Sequence, residues 1–407
     1  MRHVIIGNSA AGIFAAEEIR RLKPEDKIII LSDEKEPAYS RCLTSYYIAG
    51  KVEEENMRIR TKNFYHDLNI EFYPGEKVME ADVSKMFLKT SSGKVIDYDR
   101  LLVASGARAV QPDLDGGEGT GVFTLRTLSD ARGIVERCKK TDRAVVAGGG
   151  LVSLKATYGL MARGLKVTVV IASGQILSQV LDDKAAGLIQ KHLEKHHVEF
   201  IFGHEVMQVI LDEEHSCQGV KLDDGTELSC GLVVIGKGVI PNTDFLNKDE
   251  VEIGQGIKVD QNLKTSADGV YAAGDVAESF DFFNAKSALY AIWPNATAQG
   301  QIAGSNMAGE KMVYEGALSM NSMNFFGLNA ICAGESRARG SGFDISFEYD
   351  PQNNYYRKFV FHQELLAGYI LVGNVARAGI LTGMIGQKIS PPDCAALLKN
   401  GVASLGI

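Results

Sequence analysis

Residues 2–16, RHVIIGNSAAGIFAA, constrain the fold of this 407-residue chain more than any other stretch. Val4-Ile5-Ile6 is a short apolar run suited to a central parallel strand, and the stretch ends in the start of a helix. Between them, Gly7-Asn8-Ser9-Ala10-Ala11-Gly12 reads G-x-S-x-x-G, a dinucleotide fingerprint with serine at its middle glycine. Gly7 permits the sharp turn. Ser9 is small enough to let backbone N–H groups approach a pyrophosphate, and Gly12 lets the helix lie close on the strand. A ribose-binding acid is expected after the next strand, Lys27-Ile28-Ile29-Ile30-Leu31. Asp33 stands there, with Glu34 as the alternative, about 26 residues after Gly7 against roughly 20 in the general pattern.

The length predicts two or three domains, and 45% apolar with 23% charged residues is ordinary for a globular chain with a sizeable core. No apolar run reaches the roughly 20 residues a bilayer span needs, and no signal-peptide pattern opens the chain, so a cytoplasmic protein is expected. A net charge of −8 argues against a nucleic-acid footprint. Cys42, Cys138, Cys217, Cys230, Cys332 and Cys394 are scattered without C-x-x-C spacing, which excludes a sequence-local iron–sulfur or zinc site; no metal is expected. Cys42 opens a helical-looking segment together with Arg41 and Thr44, and its ordinary reading is a small buried packing residue.

The opening grammar returns. Residues 101–108 form an apolar strand ending in Ala104-Ser105-Gly106, and residues 143–164 repeat strand, glycine turn and helix. Gly148, Gly149 and Gly150 supply the second turn, while Ser153 stands where the third glycine belongs, so the helix should pack slightly further off its strand. After the strand 166–171 comes Ile171-Ala172-Ser173-Gly174, with no acid. Three readings follow: an NADP site, an NAD ribose held by backbone, or a pocket that has lost its ligand. Residues 232–242, with Gly236 and Gly238, answer the second unit as 101–108 answer the first, and Val270-Tyr271-Ala272-Ala273-Gly274-Asp275 resumes the first. Asp275 is read as a polyol or pyrophosphate partner, with a helix N-cap as the alternative. The pattern predicts an α/β chain of two nested Rossmann-like three-layer domains, residues 1–112 with 248–319 and residues 113–247, plus a small α+β domain over 320–407.

Together these motifs resemble the two-dinucleotide-binding flavoproteins, the pyridine nucleotide–disulfide oxidoreductase class. Residues 7–12 are similar to its FAD fingerprint, Ala104-Ser105-Gly106 to its A-T-G strand, residues 148–155 to its NAD fingerprint and Ala273-Gly274-Asp275 to its A-G-D signature. Tyr39-Ser40-Arg41, Leu125-Arg126-Thr127, Trp293-Pro294-Asn295-Ala296 and Val372-Gly373 resemble the flavin domain of NADH nitrite reductases, NADH:rubredoxin oxidoreductases and flavoprotein subunits of anaerobic multisubunit oxidoreductases. The resemblance implies FAD at Gly7, Ser9, Ala10, Ala11, Gly12, Asp33, Glu34, Arg41, Ala104, Ser105, Gly106, Arg126, Gly274, Asp275, Trp293 and Pro294. It implies NAD(H) or NADP(H) at Gly148, Gly150, Leu151, Val152, Ser153, Gly236 and Gly238. Its partners would be an iron–sulfur, rubredoxin-like or other redox subunit, with the third domain at a homo-oligomer interface or over the flavin.

Two departures stand out. Where the class has Gly-Leu-Glu, this chain has Ser153-Leu154-Lys155, so a cation replaces an anion; Lys155 would stabilise reduced flavin, or is an exposed helix lysine. Cys42 also matches by spacing the redox cysteine of NADH oxidases, NADH peroxidases and coenzyme A disulfide reductases. The expected activity is electron transfer between NAD(P)H, FAD and a one-electron protein partner. The alternatives are a Cys42-dependent thiol enzyme and a flavin subunit with a decayed NAD site.

Overall fold

The structure is a computed structural model and describes residues 1–283, 287–338, 342–363 and 365–387; Cys394 and the end of the 320–407 segment lie outside the described residues. It divides into two compact units. One comprises residues 1–43, 53–108 and 239–318; the other comprises 44–52, 109–238 and the chain from 319 on.

The first unit is built on a five-stranded parallel sheet, in the order Val270–Ala272, Arg100–Val103, Arg2–Ile6, Lys27–Ser32, Ile70–Pro74. Its strands read as continuous apolar runs because both faces are covered, and Ile5, Ile28, Ile30, Leu101 and Leu102 are fully buried. Across one face the helices Ala10–Leu22 and Trp293–Met307 touch backbone to backbone. A Cβ on Gly300 would lie 2.3 Å from the Ala11 carbonyl oxygen and one on Gly304 2.6 Å from that of Ala15, so this four-residue spacing of glycines sets the helix separation.

The second unit repeats the plan with a parallel sheet ordered Glu199–Phe202, Lys166–Ile171, Arg143–Ala147, Leu232–Ile235, Val122–Thr124. Residues 44–52, which the sequence places in the first module, belong here: the short helix Thr44–Ile48 packs on Leu151–Ala162 where Gly159 leaves room, since a Cβ there would be 2.8 Å from Ile48 Cγ2. Arg163 adds a side-chain hydrogen bond to the Ile48 carbonyl. The C-terminal segment forms an antiparallel five-stranded sheet, Met320–Phe325, Leu328–Gly334, Leu365–Val372, Tyr355–His362, Asp344–Asp350, followed by the helix Ala378–Gln387. Its Tyr356 and Lys358 both meet Asp182, at 2.7 and 3.2 Å, in the second unit.

Candidate functional site

The two fingerprint turns share one construction. Gly7 and Gly148 have φ of +115° and +122°, a region that glycine enters without strain. Each donates its N–H, at 2.8 Å, to the neighbouring strand, Gly7 to Leu31 and Gly148 to Val170. A Cβ on Gly7 would stand 2.0 Å from the Ala104 carbonyl oxygen, and one on Gly148 2.4 Å from that of Gly236. Backbone therefore crosses backbone in both units, and Ala104-Ser105-Gly106 and residues 236–238 are equivalent returning segments. In the first unit Ser105 and Asn242 lock reciprocally, Ser105 Oγ donating to the Asn242 carbonyl at 2.7 Å and Asn242 Nδ2 to the Ser105 carbonyl at 3.0 Å.

At the third fingerprint position the units part. A Cβ on Gly12 would lie 2.0 Å from the Gly7 carbonyl oxygen, so the first turn admits only glycine. Ser153 is fully buried in the second, and its Oγ donates to the Gly236 carbonyl at 3.3 Å. The serine fits because the facing residue is Gly236, whose Cβ would be 2.1 Å from that Oγ.

Helix starts carry the clearest electrostatic signal. Ala10–Leu22, Leu151–Ala162 and Trp293–Met307 begin with no side-chain cap and no acid in the first turn. By contrast, Leu128–Cys138 has a capping box from Thr127 and Asp130, and Asp183–Lys195 is capped by Asp182 with Asp183 behind it. N–H donors without side-chain caps, at the positive end of the helix dipole, suit phosphate oxygens. These cradles fit dinucleotide pyrophosphates. Ser9 and Gly150 are the N-cap residues; Ala10 and Ala11 are buried beside Ser9, Leu151 is half-buried and Val152 exposed.

Asp33 is exposed just beyond Lys27–Ser32, whereas Glu34 forms an ion pair with Arg41 and accepts the Tyr39 hydroxyl at 2.6 Å. Of the two acids, Asp33 is the outward one. Asp275 is half-buried after Gly274, and the chain runs on into the strand Ala277–Phe280, so the alternative of Asp275 as a helix N-cap is corrected. The Gly274 N–H donates to Gln299 Oε1 at 2.7 Å, and Gln299 Nε2 donates to Ser279 Oγ at 3.0 Å, so the helix headed by half-buried Trp293 and exposed Pro294 also pins this turn. Arg126, in the second unit, is half-buried, and its N–H donates to Asp130 Oδ2 at 2.9 Å.

Cys42 corrects an expectation: it lies in the short turn Arg41–Leu43 and is exposed, not buried packing. Burial accounts for other thiols, lifting Cys138 to about 11 and Cys332 to about 12, which keeps them protonated. Lys155 corrects another. It is half-buried, its ammonium 5.3 Å from the Tyr46 ring centre and 5.4 Å from that of Phe325, so it is no exposed surface lysine.

The carboxyl ends of the second sheet open on a cavity of about 190 Å³ lined by Gly148, Gly149, Ile171, Ser173, His204, Glu205 and Lys237 among others. Sequence reasoning missed Glu205 and Lys237, which come from loops beyond other strands and carry no motif. It had Asn242 only as the end of the run 232–242. No helix among the described residues is long and apolar enough to cross a membrane.

Residues 1–300 match the family model for pyridine nucleotide-disulphide oxidoreductase, and residues 320–389 match that for the rubredoxin NAD+ reductase C-terminal domain. The chain is 30% identical over 389 residues to the NADH-dependent phenylglyoxylate dehydrogenase subunit epsilon of Aromatoleum evansii, covering 94% of this chain and 91% of that one. It is 28% identical over 310 residues to the rubredoxin-NAD(+) reductase of Pseudomonas putida, covering 76% and 80%. The covalent putidaredoxin reductase–putidaredoxin complex has the same fold, with a TM-score of 0.90 at 23% identity over 99% of this chain and 98% of that one. The two fingerprint units, and the matches that run through both of them, make this chain a member of the pyridine nucleotide-disulphide oxidoreductase family, an NAD(P)H oxidoreductase that uses FAD and NAD(H).

Proposed function

We propose that the chain takes electrons from NADH onto FAD in its first unit and passes them singly to an iron–sulfur or rubredoxin-like protein, as the flavoprotein subunit of a larger redox complex. The observation that carries this reading is the pair of equivalent phosphate cradles, one per unit, each at a helix start without a side-chain cap or a first-turn acid. Their chemistry differs only in what surrounds them. When bound, FAD supplies the conversion between two-electron and one-electron transfer. The protein binds and orients: N–H groups of residues 9–12 face the pyrophosphate, Asp33 accepts from a ribose, and Asp275 anchors the polyol or pyrophosphate. Arg41 orders Glu34 and Tyr39 beside them. Residues 148–153 with Gly236 and Gly238 hold NAD(H). Support for a protein acceptor comes from relatives named as a dehydrogenase subunit and as a rubredoxin reductase.

Exposed Cys42 favours one second reading, a thiol that cycles against the flavin. Anaerobic titration separates the two. One electron pair per FAD and a flavin bleached by NADH are expected; a second pair that disappears in Cys42→Ser would replace electron transfer by thiol chemistry.

A further inference from the structure

The strand Lys166–Ile171 ends without the acid that a dinucleotide ribose needs, and its last side chain is turned to packing. Ile171 is buried against the fingerprint turn, where a Cβ on Gly149 would lie 2.9 Å from its Cγ2. The next strand of the sheet, Glu199–Phe202, runs level with it, Phe202 opposite Ile171. Gly203, at φ +78°, then donates its N–H to the Ile171 carbonyl at 2.8 Å and bends the chain back, so that Glu205 lines the same cavity. From the other side comes Lys237, in the loop that follows Leu232–Ile235.

Lys237 Nζ and a Glu205 carboxylate oxygen form an ion pair. In the sheet order, Lys166–Ile171 and Arg143–Ala147 lie between the strands that precede these two residues. The pair therefore crosses the carboxyl ends of both central strands, above the glycine turn, in the crevice where an open α/β sheet takes its nucleotide. Glu205 is fixed from behind: its N–H donates to Asp223 Oδ1 at 3.3 Å and its carbonyl accepts from the Asp223 N–H at 3.0 Å. His204 is held at 2.8 Å by Asp223 and faces Asp224 at 3.8 Å. The charges gathered here are three carboxylates, one lysine and a histidine already engaged by acid.

We infer that Glu205 takes the place of the missing ribose acid: its carboxylate, an acceptor only, receives the adenosine ribose hydroxyls of NAD(H), and Lys237 positions it. This rests on the second unit being the NAD(H) site. The acidic surround repels a 2′-phosphate, so Glu205 also sets the preference for NADH over NADPH.

Calorimetric titration of the FAD-loaded protein with ADP-ribose and with 2′-phospho-ADP-ribose tests this without turnover. The wild-type protein should prefer ADP-ribose. Glu205→Gln and Glu205→Ala should weaken ADP-ribose at least tenfold and narrow or reverse that preference, with an unchanged thermal midpoint. Lys237→Ala should weaken ADP-ribose less. Wild-type affinity and preference in both Glu205 variants, or a wild-type protein that fails to prefer ADP-ribose, would overturn the assignment. NADH bleaching is read separately: Glu205-dependent ADP-ribose binding without bleaching sinks the electron-transfer proposal and leaves this one standing.

Discussion

A glycine at a crossing point can decide what its neighbour is allowed to be. Ser153 sits at a position where the first unit tolerates no side chain, and it does so because Gly236 faces it. Gly236→Ala should therefore overpack the pair and destabilise the protein by about 1–3 kcal/mol. The three atoms nearest to that new methyl all belong to Ser153, so Ser153→Gly in the same chain should restore most of the loss; thermal denaturation of the two single variants and the double variant measures the coupling. Cys42 shows the opposite limit of residue-scale reasoning. Its type and spacing are visible in the sequence, whereas its exposure depends on a turn whose neighbours come from elsewhere. With electron transfer as the reaction, Cys42→Ser should leave NADH-to-dye turnover nearly intact, and a loss beyond roughly tenfold, about 1.4 kcal/mol, would reassign the thiol to catalysis.

At the scale of elements, caps record what each helix start is for. Leu128–Cys138 and Asp183–Lys195, which start at no fingerprint turn, are closed by Thr127 and Asp182, whereas the helices at the two fingerprint turns start without a side-chain cap. Asp182 has a further role. Its Oδ1 accepts the Ala185 N–H at 3.1 Å, while its Oδ2 receives the Tyr356 hydroxyl and buried Lys358 from the C-terminal sheet. Asp182→Ala removes the cap and strands a buried ammonium, at a cost of about 3–5 kcal/mol. Asp182→Asn keeps an acceptor for the cap and the hydroxyl and should cost less. Chemical denaturation resolves the order; equal losses would mean that the charge pairing with Lys358, absent from both variants, carries the whole effect and that the cap and the Tyr356 hydrogen bond contribute nothing.

For the molecule as a whole, stability should respond to acid in two stages. His3 is buried in the central strand of the first sheet, with Nε2 2.9 Å from Asp26. Desolvation by burial outweighs that partner and lowers its pKa below the usual 6.5. The unfolded chain then binds a proton that the folded chain refuses, so stability present above about pH 6.5 falls as pH drops below it. Burial works against Asp26, yet hydrogen bonds from the N-terminal ammonium and His3 bring its pKa below 3.8. Its contribution is lost only under more acid conditions, as pH falls through that folded value. His3→Gln should flatten the urea midpoint between roughly pH 5 and 7 and, because the N-terminal ammonium still holds Asp26, reduce the lower stage without abolishing it; an unchanged slope between roughly pH 5 and 7 would show that other groups set it.

What the sequence determined by itself was the repeated strand, turn and helix, the returning small-residue strands and the family they resemble. These are legible because local geometry dictates them: apolar runs for strands buried on both faces, and glycine where φ is positive or backbone meets backbone. The packing of residues 44–52 on Leu151–Ala162 was not legible, since it depends on Gly159 leaving room for Ile48. Nor was the source of the acid at the second nucleotide. Glu205 and Lys237 are 32 residues apart and follow different strands, and only the sheet order brings them across one crevice. Periodicity and motifs describe what each residue does to its own backbone; charges that meet through space belong to the tertiary structure alone.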